Sequence, residues 1–272
     1  TNAGLICKLL AELPSSSGVF VYYEAGVQWR GWRYAMDVAM GRGINRQIRR
    51  AYGWLASHYR AGDRIFLIGY SRGAFAVRSL AGLIDRVGLL RADAATERNV
   101  TLAYRYYRSH ETRPAQAAFR RRYCHDEVAI EMLGVFDTVK ALGLRLPVFW
   151  LLTEPQHRFH NHKLGRCIRS GFQALALDET RSAYEPLLWD GSNGHEAQIE
   201  QVWFRGAHGD IGGQLSGFGP ARPLANIPLV WMLECLAARG LALPEGGMGR
   251  FERDALAPAA GSWRGFGALF WL

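Results

Sequence analysis

The sequence predicts an α/β fold, in which a mainly parallel central sheet carries helices on both faces. Two observations lead to this prediction. Short β-rich runs alternate with amphipathic helical patterns between residues 19 and 87, and this alternation is typical of a βαβ unit with parallel strands. Glycines and polar residues directly follow the strand-like runs, and open α/β sheets form their sites at the carboxyl ends of strands.

The composition is that of one globular domain. The chain has 272 residues, of which 49% are hydrophobic and 21% charged, so it contains enough apolar material for a sizeable core. We interpret residues 1–272 as a single domain. No run reaches the roughly 18 uninterrupted apolar residues of a membrane span, and no recognisable signal peptide opens the chain.

The net charge of the chain indicates which partners it could bind, and its cysteines indicate the redox compartment. A formal net charge of +9, with 33 Lys and Arg, suits an anionic neighbour such as nucleic acid, anionic lipid or an acidic protein. Nucleic acid is not expected, because the chain has no zinc-finger or RNP motif. The four cysteines form no CxxC pair, which indicates a reducing compartment and neither a disulfide framework nor a metal site.

The first 60 residues are expected to supply two helices and a strand. Residues 2–13 have leucines at helical spacing, and Asn2 is a suitable N-cap. Residues 19–23 are β-rich and predict a strand, from whose carboxyl end a loop around Gly26 departs. Residues 44–60 have the apolar spacing of an amphipathic helix.

The most informative stretch is a strand, a sharp turn and a helix around Ser71. Residues 65–68 form an apolar, strand-like run, residues 69–73 spell Gly-Tyr-Ser-Arg-Gly, and a helical apolar pattern then continues to Val87. In this context Gly-x-Ser-x-Gly is the pattern of a nucleophile elbow, as in α/β-hydrolase-type enzymes. Both glycines are expected because a strained serine needs neighbours without side chains, so that strand and helix can approach closely.

The rest of the chain predicts further helices and two more strands. Helices are expected over 94–108 and 115–124, a helix or turn over 164–177, strands over 127–136 and 199–204, a last helix from Asn226 or Pro228 to Ala238, and a Gly- and Pro-rich tail over 244–272. Residues 141–153 are strongly apolar but contain Pro147. They predict either a lid or lipid-facing insertion over about 141–163 or, equally, a buried core helix.

Two strand ends supply the remaining groups of a catalytic triad. Asp137 closes the strand that follows the elbow, and His208 lies in a glycine-rich loop after the next one. The chain order Ser71, Asp137, His208 is that of α/β-hydrolase-type enzymes. Asp178 and Asp210 are alternative acids, although Asp210 is better placed to shape the His208 loop than to pair with the ring.

Acyl transfer also requires hydrogen-bond donors for an oxyanion. The backbone amide of Arg72 is the expected first donor, because it follows the nucleophile. A second donor is expected from the loop near Gly26.

The other histidines do not predict a metal centre. His157, His160 and His162 have metal-like spacing, but no carboxylate or cysteine is interleaved, so neither a metal nor a cofactor is expected. His58 on a helix face and His195 in a loop are interpreted as ordinary surface residues.

Five ordered blocks within about residues 1–240 resemble those of a known family. The blocks are 23–27 (YEAGV), 69–84 (GYSRGAFAVRSLAGLI), 134–143 (GVFDTVKALG), 174–181 (ALALDETR, followed by Pro186 and Trp189) and 202–213 (VWFRGAHGDIGG). They are similar to motifs of the DUF2235 family, which includes the Tle1-class lipase effectors of type VI secretion. The resemblance implies an α/β-hydrolase fold with Ser71, Asp137 and His208 as the triad, which are the residues that the strand ends indicate.

The resemblance also implies an activity and partners. It implies a phospholipase of the A type that cleaves acyl esters at a phospholipid membrane surface, often after delivery into rival bacteria. Such a protein is made in the bacterial cytoplasm and reaches the periplasm or membrane of a target cell by a route that uses no signal peptide. An immunity protein and a secretion-apparatus carrier are the implied protein partners.

The chain departs from the family pattern in four places. The family's first strand and F-D-G-T motif, expected just before Thr1, are absent, and Gln28, Gln173 and Gln214 stand where the family has a Gly, often a His, and a Gly. Two rival functions therefore stay open. One is a soluble serine esterase or amidase with the same triad, and the other is an inactive interaction module of the same fold.

Overall fold

A computed structural model describes residues 1–26, 42–109, 114–139, 164–190 and 197–262 of the chain. The helices are α1 (Asn2–Leu10), α2 (Arg42–His58), α3 (Arg72–Val87), α4 (Glu97–Arg108), α5 (Pro114–Tyr123), α6 (His208–Gly212) and α7 (Arg222–Ala238). The strands are β1 (Ile65–Tyr70), β2 (Ile130–Phe136), β3 (Ser170–Ala176) and β4 (Gln198–Phe204). Most of these elements lie where the apolar spacing predicts them.

The four strands form one parallel sheet in the order β1-β2-β3-β4. The last residue of β1, Tyr70, lies beside Phe136, the last residue of β2. Phe136 in turn lies beside Ala174 of β3, whose final residue Ala176 lies beside Phe204 of β4. The carboxyl ends therefore meet along one edge, where the loops of an open parallel sheet form a site.

Apolar cores cover the two faces of this sheet. Ile65 and Leu67 of β1 belong to a core that includes residues of α2, α3 and α4. Phe66 and Ile68 pack instead on a core that includes residues of α1 and α7. Because successive strand residues point to opposite faces, helices flank the sheet on both sides, and the predicted α/β architecture is confirmed.

The prediction of a helix or turn over residues 164–177 is wrong, because β3 lies within it. All seven residues of β3 are buried. The run Ser-Gly-Phe-Gln-Ala-Leu-Ala lacks β-branched residues, so its local propensity does not favour a strand. Its position between β2 and β4 favours small residues, since a Cβ on Gly171 would press on the Leu164 side chain at 2.9 Å. Tertiary packing therefore overrides local preference here.

The predicted strand over residues 19–23 is also wrong, and so is the βαβ unit that started from it. These residues belong to no helix or strand, although they are β-rich. Phe20 is 79% exposed and Tyr23 is 49% exposed. No described strand pairs with this run, and β propensity without a neighbouring strand does not form a sheet.

The N-cap of α1 is Thr1 and not the predicted Asn2. The Thr1 hydroxyl accepts a hydrogen bond from the Gly4 amide at 3.3 Å. Asn2 is fully buried, and its side-chain amide donates to the carbonyls of Ile211 and Ala225 at 2.8 and 2.9 Å. Asn2 therefore ties α1 to α6 and α7, a role that only the folded chain makes visible.

The structure gives the state of the cysteines and the character of the helices. All four cysteines are free thiols. Among the described helices, none is long and apolar enough to cross a bilayer.

Candidate active site

Ser71 alone forms the sharp turn between β1 and α3. Its φ of 56° and ψ of −122° lie outside the regions that L-residues favour. Its backbone amide donates to the Phe136 carbonyl of β2 at 3.1 Å, so the neighbouring strand holds the turn in place. This strained conformation at a strand–helix junction is the geometry of a nucleophile elbow.

The two glycines of the elbow motif differ in their surroundings. A Cβ on Gly69 would lie 2.6 Å from the Cα of Ala74, a distance that real Cβ atoms do not reach. A Cβ on Gly73 would meet nothing within 4 Å. The expectation that strand and helix approach too closely for a side chain is therefore confirmed at Gly69 and wrong at Gly73.

Asp137 follows β2 as Ser71 follows β1. It is 1% exposed, and its φ of 39° also lies in the left-handed region. Its amide donates to the Ala174 carbonyl of β3 at 2.7 Å, and its Oδ1 accepts from the Ala176 amide at 3.3 Å. The inner strand β3, which the sequence did not predict, therefore orients this carboxylate.

His208 is the first residue of α6 and joins the other two predicted residues in one line of hydrogen bonds. Its Nδ1 lies 2.6 Å from Oδ2 of Asp137, and its Nε2 lies 2.8 Å from Oγ of Ser71. These partners assign the tautomer in which Nδ1–H donates to the carboxylate and Nε2 accepts from the hydroxyl. Asp137 and His208 are both buried, so water competes little for these bonds.

Two tyrosines flank the imidazole ring. The ring centroid of Tyr70 lies 4.9 Å from that of His208, and the Tyr184 centroid lies at 4.8 Å. Burial raises the pKa of Tyr70 well above its ordinary value. Its hydroxyl therefore stays protonated and donates to the His208 carbonyl at 3.3 Å. A Cβ on Gly212 would overlap the Tyr70 ring, so this glycine leaves room for it.

A second loop, after β3, holds the backbone around His208. Oδ2 of Asp178 accepts from the Gly206 amide at 2.7 Å, and Oε2 of Glu179 accepts from the His208 amide at 3.2 Å. The sequence assigned no role to Glu179, although it lies in the block 174–181 that carries the family resemblance. That block was the available signal.

Glu179 is fixed in turn by Arg181. The two side chains form a buried ion pair at 2.7 Å, and the Arg181 guanidinium lies 3.9 Å from the centroid of the Tyr184 ring. Burial acts to raise the pKa of Glu179, but the hydrogen bonds from Arg181 and from the His208 amide outweigh it and hold the pKa below its usual range. Glu179 is therefore ionised at neutral pH and accepts these bonds with full charge.

The alternative acids bind backbone amides and not the imidazole. Asp178 caps the Gly206 amide from an exposed position. Asp210 is fully buried, and its two oxygens accept from the amides of Ala207, Ala260 and Gly261 at 2.9, 2.7 and 3.2 Å. Asp210 shapes the loop that carries His208, as its sequence position suggested.

Two of the three glutamine departures lie within the described chain. Gln173 is buried, and its amide donates to the Leu187 carbonyl at 3.3 Å. Arg78 donates to the same carbonyl at 2.5 Å, and burial lowers the pKa of Arg78 to about 9. Gln214 is exposed and donates its backbone amide to the Gly209 carbonyl at 2.8 Å. Gln28 lies outside the described residues.

The remaining predictions concern Gly26, the other histidines and the insertion over 141–163. Gly26 is exposed and adjoins Ala25, whose carbonyl accepts from Gln47 of α2 at 3.3 Å. His58 is exposed on α2, as expected. The insertion over 141–163, its three histidines and His195 lie outside the described residues. Within the ranges that the structure describes, no group of three or more metal-ligating side chains is present.

One protein-family model matches most of the chain. A family model described as the Tle1-like phospholipase effector of type VI secretion, catalytic domain, matches residues 1–235. The chain belongs to this family. The Tle1-like match includes the elbow, Asp137 and His208, and it agrees with the α/β-hydrolase type of sheet.

A curated relative and the solved structures add less. An uncharacterized protein of the yeast Saccharomyces cerevisiae is 31% identical over 206 residues, which is 66% of this chain and 29% of the yeast protein. The chain therefore matches less than a third of that relative's length. No solved structure matches the chain.

Proposed function

We propose that this chain is a serine hydrolase of the phospholipase A type that cleaves acyl esters of membrane phospholipids. The observation that carries the proposal is the hydrogen-bonded line from Asp137 through His208 to Ser71, with the serine held in a strained elbow. Membership in the Tle1-like family supports a lipid as substrate.

The reaction follows from these contacts as two acyl transfers. Ser71 Oγ attacks the ester carbonyl while its proton moves to Nε2 of His208. The bond between the acyl carbon and the glycerol oxygen then breaks, and His208 returns the proton to that oxygen. A water molecule next attacks the acyl carbon of the acyl-enzyme while its proton moves to Nε2 of His208. The bond between the acyl carbon and Ser71 Oγ then breaks, His208 returns this proton to Oγ, and the fatty acid leaves. Asp137 keeps the imidazole in the required tautomer and stabilises its cationic form.

The oxyanion of each tetrahedral intermediate needs donors. The Arg72 amide is at the first position of α3, where helical amides have no partner within the helix, and the helix terminus favours negative charge. We assign the first donor to this amide and the second to the loop at Gly26, each worth about 3 kcal/mol of transition-state stabilisation.

The biological setting belongs to the same proposal. The net charge of +9 suits an anionic membrane surface. Delivery into a rival cell, a carrier of the secretion apparatus and a protective immunity protein are features that the effector family suggests. The yeast relative comes from a eukaryote, so delivery between bacteria requires its own test and does not follow from the fold.

The decisive measurement is fatty-acid release from mixed phosphatidylethanolamine and phosphatidylglycerol vesicles. We expect release by the natural chain and a loss of roughly 10⁴-fold or more in Ser71→Ala. Ser57→Ala is the matched control, because Ser57 is exposed on α2 and only donates to the Gly53 carbonyl. Cleavage of short soluble esters alone would favour the soluble esterase. If neither the vesicles nor the short esters are hydrolysed and a fluorophosphonate does not label Ser71, the inactive module would be favoured.

A further inference from the structure

Arg72 directly follows the nucleophile, and its side chain has no partner in the described chain. Arg72 is half-buried, and within residues 1–26, 42–109, 114–139, 164–190 and 197–262 its side chain makes neither a hydrogen bond nor an ion pair. By contrast, Arg181 at the same site is paired with Glu179 and stacked on Tyr184.

Arg72 and His208 have one neighbour in common, Tyr184. Burial lowers the pKa of Arg72 from its ordinary value, and the nearby Tyr184 hydroxyl acts in the opposite direction. The Tyr184 ring also packs against His208 with the ring centroids 4.8 Å apart. Arg72 directly follows Ser71 and shares Tyr184 as a neighbour with His208, so its side chain starts close to the reacting groups.

An unpaired and partly desolvated cation is costly unless a ligand supplies the missing charge. Arg78, the other arginine of α3 with a lowered pKa, does not fit that role: it is 7% exposed, lies under the Trp189 ring and donates to the Leu187 carbonyl. Arg72 retains exposed surface and its hydrogen-bond donors. Planar guanidinium groups bind phosphate oxygens in a bidentate manner, which lysine does not reproduce.

We propose that the Arg72 side chain binds the phosphate of the phospholipid whose ester Ser71 attacks, and that it selects phosphate-bearing lipids over neutral acylglycerols. This inference rests on the proposed phospholipase activity and adds the group that recognises the substrate. The acyl ester and the phosphate of a glycerophospholipid are attached to the same glycerol, so adjacent residues can hold both. The Arg72 amide and side chain then act on two parts of one substrate.

The test compares two substrates in neutral detergent micelles: phosphatidylglycerol, and a diacylglycerol with the same acyl chains. The measured quantity is the ratio of kcat/KM for the two substrates. We expect Arg72→Gln to lower this ratio at least tenfold, mainly through KM for phosphatidylglycerol, and Arg72→Lys to recover part of it. Arg98→Gln is the control, because it removes the same charge from an exposed position on α4 and should leave the ratio unchanged.

A binding measurement separates recognition from turnover. Ser71→Ala protein should bind phosphatidylglycerol micelles more tightly than the double variant with Arg72→Gln, at equal thermal stability. An unchanged ratio in Arg72→Gln, or an equal loss on both substrates, would overturn the inference while leaving the hydrolase intact. If the natural chain cleaves neither substrate, the proposed function fails and this inference fails with it.

Discussion

Gly69 and Gly73 flank the same serine, and only Gly69 is enclosed. The backbone of α3 approaches the end of β1 so closely that a Cβ on Gly69 would lie 2.6 Å from both the Ala74 Cα and the Gly73 carbonyl oxygen. These are main-chain atoms, so no side-chain rotation can make space. Gly73 is exposed on the first turn of α3. At the scale of single residues, the elbow therefore needs glycine before the serine.

This difference predicts that two matched substitutions change the free energy of unfolding by different amounts. Gly69→Ala should lower the free energy of unfolding by about 1–3 kcal/mol, because strand and helix must move apart. Gly73→Ala should change it by less than about 1 kcal/mol or raise it, since alanine favours a helix over glycine. Urea denaturation measures both. Equal destabilisation by the two variants would contradict the close approach at Gly69.

At the scale of elements, the loop after β3 and the loop after β4 form one unit. The Asp178 and Glu179 carboxylates bind the amides of Gly206 and His208, and Arg181 completes the pair with Glu179. His208 is thus held at its imidazole ring by Asp137 and at its backbone amide by Glu179. Glu179 binds the main chain of His208, so we regard it as a positioning residue.

The lowered pKa of Glu179 predicts how its contribution to stability varies with pH. A carboxylate with a folded-state pKa below its unfolded value stabilises the fold above the unfolded pKa, near 4.5, and loses this effect as the pH falls through the folded value. Glu179→Gln should therefore be less stable than the natural chain at pH 7, and the difference should shrink below pH 4.5.

Thermal unfolding across this pH range measures the effect. Glu245→Gln is the matched control, because it removes the same charge from an exposed position. The role of Glu179 in positioning predicts a lower kcat with little change in KM. A constant stability difference from pH 7 to pH 4 would argue against the ionised pair.

At the scale of the whole molecule, buried polar side chains join segments that are distant in the chain. Asp210 binds the amides of Ala260 and Gly261 as well as that of Ala207, so the segment after α7 is attached to the loop that carries His208. Asn2 attaches α1 to the same region through the Ile211 carbonyl. Both ends of the described chain therefore support the site.

Asp210→Asn tests this attachment with almost no change in side-chain volume. Both Asp210 oxygens accept from backbone amides, so an asparagine must turn its own NH₂ group toward at least one N–H. We expect a loss of about 1–3 kcal/mol for the unpaired groups, faster hydrogen exchange at Ala260 and Gly261, and a reduced kcat. Asp254→Asn is the control, since Asp254 is exposed and accepts a local bond from Leu256. Unchanged exchange at Ala260 and Gly261 would contradict the attachment.

Local patterns account for the parts of the fold that the sequence alone predicts. The helix over 42–58 and the run from β1 through Ser71 into α3 each carry their signal in consecutive residues, as apolar spacing or as a short motif. The strand ends and the chain order also indicated Ser71, Asp137 and His208, which the structure places within hydrogen-bond distance. Their catalytic role stays a prediction.

The sequence by itself determined the fold class, the elbow and three candidate residues, because each depends on neighbours close in the chain. Only the tertiary structure decided that residues 170–176 form an inner strand, that residues 19–23 form none, and that Glu179 holds His208. These outcomes depend on which distant segments cover a strand or reach a buried amide. Neither local propensity nor residue spacing encodes such contacts, and packing between remote segments settles them.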